Sequence, residues 1–229
     1  MGLTEEVLNF ISEHIDDSSR TLETGCGLST AVLAFLGAHH ICITPAENEI
    51  ERVRDYCTSN TISTDRITFY PHGSESVLPN LNCEPLDLVL IDGRHGFPAP
   101  FIDFYYTADK LKIGGLLVID DVYLWTGDVL KQLLLLEPEW KLEADFPPRT
   151  SVFRKLAEGT QLKEWTQQPY VVINSEYKQT PASPPSYALT ALRYIKRGEF
   201  SVLGKMIGRK LGILKQSGEP DCLGRQRSI

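Results

Sequence analysis

Hydrophobic positions along the chain switch between two periods. Val7, Leu8, Phe10, Ile11 and Ile15 recur at helical spacing and predict an amphipathic first helix in MGLTEEVLNFISEHIDD. SRTLET predicts a short strand running into the glycine turn of TLETGCGLST, residues 21–30. STAVLAFLGA continues as a helix with Ser29 or Thr30 in its first turn. HHICIT predicts a second strand. PAENEIERVRDYCTSN predicts a second helix whose proline sits at the start, where a missing N–H costs little. RITFYPH is a third strand, followed by GSESVLPNL. LDLVLID, residues 86–92, is a continuous apolar run of the kind buried on both faces of a parallel sheet. PAPFIDFYYTADKLK predicts a helix, GGLLVIDD a fifth strand and TGDVLKQLLLLEP another helix.

Strand alternating with helix over this length predicts the α/β class, a doubly wound, mostly parallel sheet. WKLEADF and TSVFRKL are joined by FPPRT, too short for a crossover helix, so they predict an antiparallel hairpin on the sheet edge and bring the count to seven strands. Ligands in such sheets bind beyond the carboxyl ends of the strands. The polar residues to inspect are therefore Glu23 with Gly25 and Gly27, Thr44 to Glu47, Gly73 with Ser74 and Glu75, Asp92 to His95, and Asp120 with Asp121.

Charge divides the chain. The 229 residues have a formal net charge of -7, yet residues 159–229 carry 11 Lys and Arg against 5 Asp and Glu. The acidic remainder, residues 1–158, argues against nucleic acid as a partner, because a phosphate backbone needs a basic footprint. The basic part begins with EGTQLKEWTQQ, passes a predicted strand in YVVINSEY, and from Tyr187 shows a helical pattern. There Val202, Leu203, Met206, Ile207, Leu211 and Leu214 share an apolar face opposite Lys205, Arg209 and Lys210. Such a basic amphipathic helix suits packing on the acidic domain, docking on a partner, or peripheral contact with an anionic membrane; a homo-oligomer is equally open. No apolar run approaches the roughly 20 residues of a membrane span. Five cysteines without a CxxC pair, and acids where a secretory leader would be basic, point to the cytoplasm.

The glycine turn discriminates between nucleotides. A dinucleotide fingerprint reads GxGxxG, whereas the register here gives Gly25, Gly27 and Thr30. Glu23 beside the turn would repel a pyrophosphate but suits a ligand bearing a cation. S-adenosylmethionine is such a ligand, and the turn's N–H groups suit its carboxylate.

ETGCGLST, GSESVLP, DLVLIDGRHGFP and LKIGGLLVIDDV, in this order and spacing, resemble the class I S-adenosylmethionine-dependent methyltransferases, in particular the small O-methyltransferase-like group with an IDGxH element. The resemblance covers roughly residues 20–158 and implies the Rossmann-like methyltransferase fold. It also implies that Glu23, Gly25 and Gly27 line the methionine end of S-adenosylmethionine, that Gly73 and Ser74 lie near the adenine, and that Asp92 lies beside the reacting methyl group. The family usually grips the ribose with an acid at the end of the second strand. Thr44 stands there in this chain, and Glu47, one helical turn on, is the substitute.

Methyl transfer requires an acceptor that sheds its proton. Two arrangements meet that need. In one, Asp92, Asp120 and Asp121 hold magnesium or calcium, as similar O-methyltransferases do, and the ion lowers the acceptor's pKa. In the other, His95 takes the proton directly. The expected activity is methylation of a hydroxyl on a small molecule or glycan precursor. The rivals are a nucleotide-cofactor oxidoreductase of similar fold and a non-catalytic interaction protein that keeps the methyltransferase fold.

Overall fold

The structure, a computed structural model, describes residues 2–175 and Ile195. One compact unit ends at Tyr170 and a second begins at Val171. In the first, seven strands form one sheet: β1 (Arg20–Thr24), β2 (His39–Ile43), β3 (Ile67–Tyr70), β4 (Leu86–Ile91), β5 (Leu111–Ile119), β6 (Trp140–Phe146) and β7 (Thr150–Lys155). Their order is β3-β2-β1-β4-β5-β7-β6. The first five are parallel, β7 runs antiparallel to β5, and β6 antiparallel to β7. The predicted doubly wound sheet with an antiparallel edge hairpin is borne out.

The helices are α1 (Glu5–His14), α2 (Leu28–Phe35), α3 (Glu47–Ser59), α4 (Ser74–Val77), α5 (Ala99–Thr107), α6 (Trp125–Leu136) and α7 (Pro169–Asn174). Alternate strand residues feed two cores, as the period of two requires. Val89, Ile91, Leu117, Ile119 and Phe153 join Phe104 of α5 and Leu130 and Leu134 of α6 on one face. Leu88, Leu90, Leu116, Val118 and Val152 join Val7 and Ile11 of α1 and Leu33 of α2 on the other. The apolar run of β4 is thus spent on both sides of the sheet.

Within the first unit, residues 160–163 just after β7 return to the start of β6. Trp140 Nε1 donates to Thr160 Oγ1 at 2.9 Å, and Lys163 Nζ reaches Glu137 at 2.8 Å and Glu139 at 2.5 Å. Two expectations are corrected. Strand β5 starts at Leu111, taking over the end of the predicted PAPFIDFYYTADKLK helix. The strand predicted in YVVINSEY is instead α7, which begins at Pro169, a residue preset for a first helical turn. The amphipathic helix predicted from Tyr187 lies outside the described residues. Among the described residues no helix is long and apolar enough to cross a membrane.

Candidate active site

The chain winds from β1 towards β2 and β3 on one side and from β4 towards β5 on the other, so the strand order switches between β1 and β4. Their ends touch backbone to backbone: Asp92 N donates to the Thr24 carbonyl at 3.0 Å. Gly25 follows at φ +105°, where a Cβ would collide with the Asp92 carbonyl. Only glycine satisfies both demands. At Gly27 the space a Cβ would take is open.

A cavity of about 620 Å³ opens at this switch point, within the range of ligand pockets. Gly25, Gly27, Thr44, Gly73, Ser74, Asp92 and His95 all lie in its wall, as expected from the sequence. Glu23 and Glu47 do not.

Glu23 is buried behind the turn. Its Oε2 accepts from Ser29 Oγ at 2.7 Å, its Oε1 accepts from Thr30 Oγ1, and His40 Nε2 lies 3.2 Å from Oε1. The carboxylate therefore ties β1 and β2 to the first turn of α2, rather than meeting a ligand. His40 of β2 is itself buried, with Nδ1 2.8 Å from Thr21 Oγ1.

Glu47 is exposed, and the acid that faces the cavity is Glu49, whose Oε2 accepts from Thr44 Oγ1 at 3.2 Å. Helical phase explains the exchange: Glu49 shares a side of α3 with Ala46 and Val53, whereas Glu47 sits two residues away, on another side.

Asp92 follows β4. Burial, followed by the charges of Asp120, Glu23 and Asp121, pushes its carboxyl up to about 8, against the opposing pull of Arg149. It is therefore mostly protonated at neutral pH. Asp120 and Asp121 follow β5, but they do not form the expected metal triad with Asp92. Arg149 Nε donates to Asp120 Oδ1 at 3.1 Å and to Oδ2 at 2.9 Å, Nη2 donates to Oδ2 at 2.8 Å, and Thr150 Oγ1 donates to Oδ1 at 2.5 Å. Asp120 is thereby filled by the protein itself.

Asp121 has φ +52°. That left-handed turn sends two successive carboxylates to one side, where an extended strand end would send them to opposite faces. Asp121 Oδ1 lies 2.9 Å from Arg149 Nη2, and Oδ2 lies 3.0 Å from His95 Nε2. The His95 carbonyl accepts from Thr126 Oγ1 at 2.5 Å, which fastens the loop after β4 to the start of α6.

Asp92, His95 and Asp121 each place a ligand atom within 4.8 Å of the others. This set fits magnesium or calcium poorly. Those ions seek six or more oxygens, while the set offers one nitrogen, one carboxyl and one carboxylate already 2.9 Å from a guanidinium.

Sequence reasoning missed Arg149, because FPPRT reads only as a turn. It missed Glu49 and also Asp103, an acid inside the apolar stripe of PAPFIDFYY, whose carboxyl is pushed up by burial against the Ser74 and Thr24 hydroxyls. Cys26 lies in the cavity wall with its thiol held below the usual range by a hydrogen bond from Cys42.

A family described as a methyltransferase domain matches residues 22–122. No curated protein matches the sequence significantly. Similar solved structures include an rRNA methylase from Streptococcus thermophilus, 20% identical with a TM-score of 0.54, covering 66% of this chain and 95% of that one. Another is the O-methyltransferase TomG from Streptomyces achromogenes in complex with S-adenosylmethionine, 12% identical with a TM-score of 0.56, covering 68% and 82%. A third is the S-adenosylhomocysteine-bound methyltransferase PaMTH1 from Podospora anserina, 17% identical with a TM-score of 0.53, covering 66% and 77%. At these identities the likeness is one of fold. Residues 22–122 thus match a methyltransferase domain within a sheet of the Rossmann-like methyltransferase fold, and the resemblance read from the motifs is borne out.

Two consequences are measurable. Glu23→Gln removes a buried charge partner and costs about 3 kcal/mol, a fall in Tm of roughly 6–12 °C; an unchanged Tm with weakened S-adenosylhomocysteine binding would return Glu23 to the cavity wall. Asp92 holds its proton more tightly folded than unfolded, so its stabilising contribution is complete below about pH 4 and is lost as pH rises through about 8. Asp92→Asn keeps that contribution, so thermal melts should show its Tm close to wild type at pH 4 and clearly above it at pH 9.

Proposed function

We propose that this protein transfers a methyl group from S-adenosylmethionine to a hydroxyl of a small molecule or glycan precursor, with His95 as general base. The observation that carries this reading is the His95–Asp121 pair, 3.0 Å apart, beside the cavity floored by the Gly25–Gly27 turn. His95 is 42% exposed and Asp121 only 7%, the arrangement of a base that meets substrate on a partner held in place.

The residues present suit the cofactor. Open space at Gly27 admits it close to the backbone, the turn's N–H groups suit its carboxylate, and Glu49 is the acid in the wall that would hold the ribose hydroxyls. When bound, S-adenosylmethionine supplies a methyl group on a cationic sulfur, which departs as a neutral thioether. Asp121 holds the Nε2 proton of His95, so Nδ1 keeps its lone pair for the acceptor. His95 takes the hydroxyl proton as the acceptor oxygen bonds to the methyl carbon. Asp121 offsets the charge then carried by the imidazolium.

The surroundings favour an uncharged acceptor. Phe97, Tyr123 and Trp125 are exposed close in sequence to His95 and Asp121, with the Phe97 and Trp125 ring centroids 6.4 Å apart. The nearby basic residue Arg94 is paired with Glu75 at 3.5 Å. Arg52 in the wall is likewise matched by Glu49 at 3.8 Å, so the cavity offers a nucleic-acid backbone no net basic footprint. The four described cysteines are free, which suits the cytosol.

His95→Gln should lower kcat by about 10²–10⁴-fold while calorimetry finds S-adenosylhomocysteine affinity unchanged; near-normal turnover removes His95 from the mechanism. A bound sulfonium favours ionised Asp92, whereas a neutral thioether does not. Affinity for S-adenosylmethionine should therefore rise relative to that for S-adenosylhomocysteine as pH climbs from 6 through about 8, the range in which free Asp92 loses its proton. Parallel pH curves for the two ligands would refute this coupling.

A further inference from the structure

We propose that Arg149 is a built-in cation, its guanidinium holding the place between Asp120 and Asp121 that a divalent metal would otherwise take. Four contacts define the place: three from Nε and Nη2 to the Asp120 oxygens between 2.8 and 3.1 Å, and one from Nη2 to Asp121 Oδ1 at 2.9 Å. Arg149 is 14% exposed, Asp120 0% and Asp121 7%, so these charges face one another with little water to screen them.

The edge hairpin delivers this arginine. Strand β7 runs antiparallel to β5, with Ser151 opposite Ile119, so the start of β7 lies at the carboxyl end of the parallel strands. Arg149 immediately precedes β7, and its own carbonyl accepts from Val122 N at 2.8 Å. Backbone and side chain together lock it at the end of β5.

The fork of a guanidinium matches one carboxylate with two parallel hydrogen bonds and leaves an N–H for a second. A divalent ion entering here would have to displace that fork or sit against its charge. Arg149 is a positioning residue: it fixes Asp121, and Asp121 holds His95. The positioning of His95 matters to catalysis only on the methyl-transfer reading, whereas the exclusion of metal does not depend on it.

The test uses the full chain stripped with EDTA, followed by thermal melts and calorimetry with magnesium, calcium or manganese chloride. Wild-type protein should show no cation-dependent change in Tm and no binding at millimolar ion. Arg149→Ala should be less stable and gain a Tm increase with added divalent ion, a gain that the double variant Arg149→Ala with Asp120→Asn loses. Arg149→Lys keeps a charge in place and should remain unresponsive to metal. Divalent binding by wild-type protein, or a folded Arg149→Ala that ignores every ion, overturns the proposal. Should Arg149→Ala not fold, the wild-type titration decides alone. Binding of S-adenosylhomocysteine, measured in parallel, reports on the methyltransferase reading independently of all these outcomes.

Discussion

Four carboxyl groups meet where the strands of this sheet end, and that crowding of negative charge is the constraint around which the site is arranged. Parallel topology makes it unavoidable, because β1, β4 and β5 all point their carboxyl ends to one edge and the sequence sets an acid at or just past each. Each acid is neutralised differently. Glu23 takes two hydroxyl donors and His40. Asp92 keeps a proton. Asp120 takes the guanidinium fork of Arg149, and Asp121 shares that guanidinium with His95.

These solutions are coupled through distance. Asp92 is raised partly by its acidic neighbours, with Arg149 as the offset. The same arginine steadies Asp121 and, through it, the imidazole. A cation supplied from within the fold differs from a metal in one chemical respect: it polarises no acceptor oxygen directly, so proton removal falls to a side chain. That places His95, rather than an ion, at the centre of the proposed chemistry.

The glycine turn shows how a motif can be right in place and wrong in detail. Gly25 and Gly27 stand in the cavity wall as their spacing implied, for two separate reasons: one avoids a collision with the Asp92 carbonyl and the other leaves room. Glu23, the acid that first suggested a cationic ligand, turns inward because Ser29 and Thr30 on α2 and His40 on β2 offer it better partners than an open cavity does. Alternation along β1 cannot reveal this, since both faces of a central parallel strand are buried.

The seven strands and the longer helices between them, the edge hairpin, the switch-point turn and the residues at strand ends were legible in the chain up to β7, because period and turn chemistry are local properties. Helical phase put Glu49 in the wall instead of Glu47, since α3 begins at Glu47 rather than at the proline where the sequence placed its start. Arg149 lies 28 residues beyond Asp121 and was legible from neither its spacing nor its neighbours. Only the antiparallel return of β7 along β5 brings the two together, and such a pairing depends on which strand packs beside which, a choice made by the cores on both faces of the sheet rather than by any local stretch of sequence.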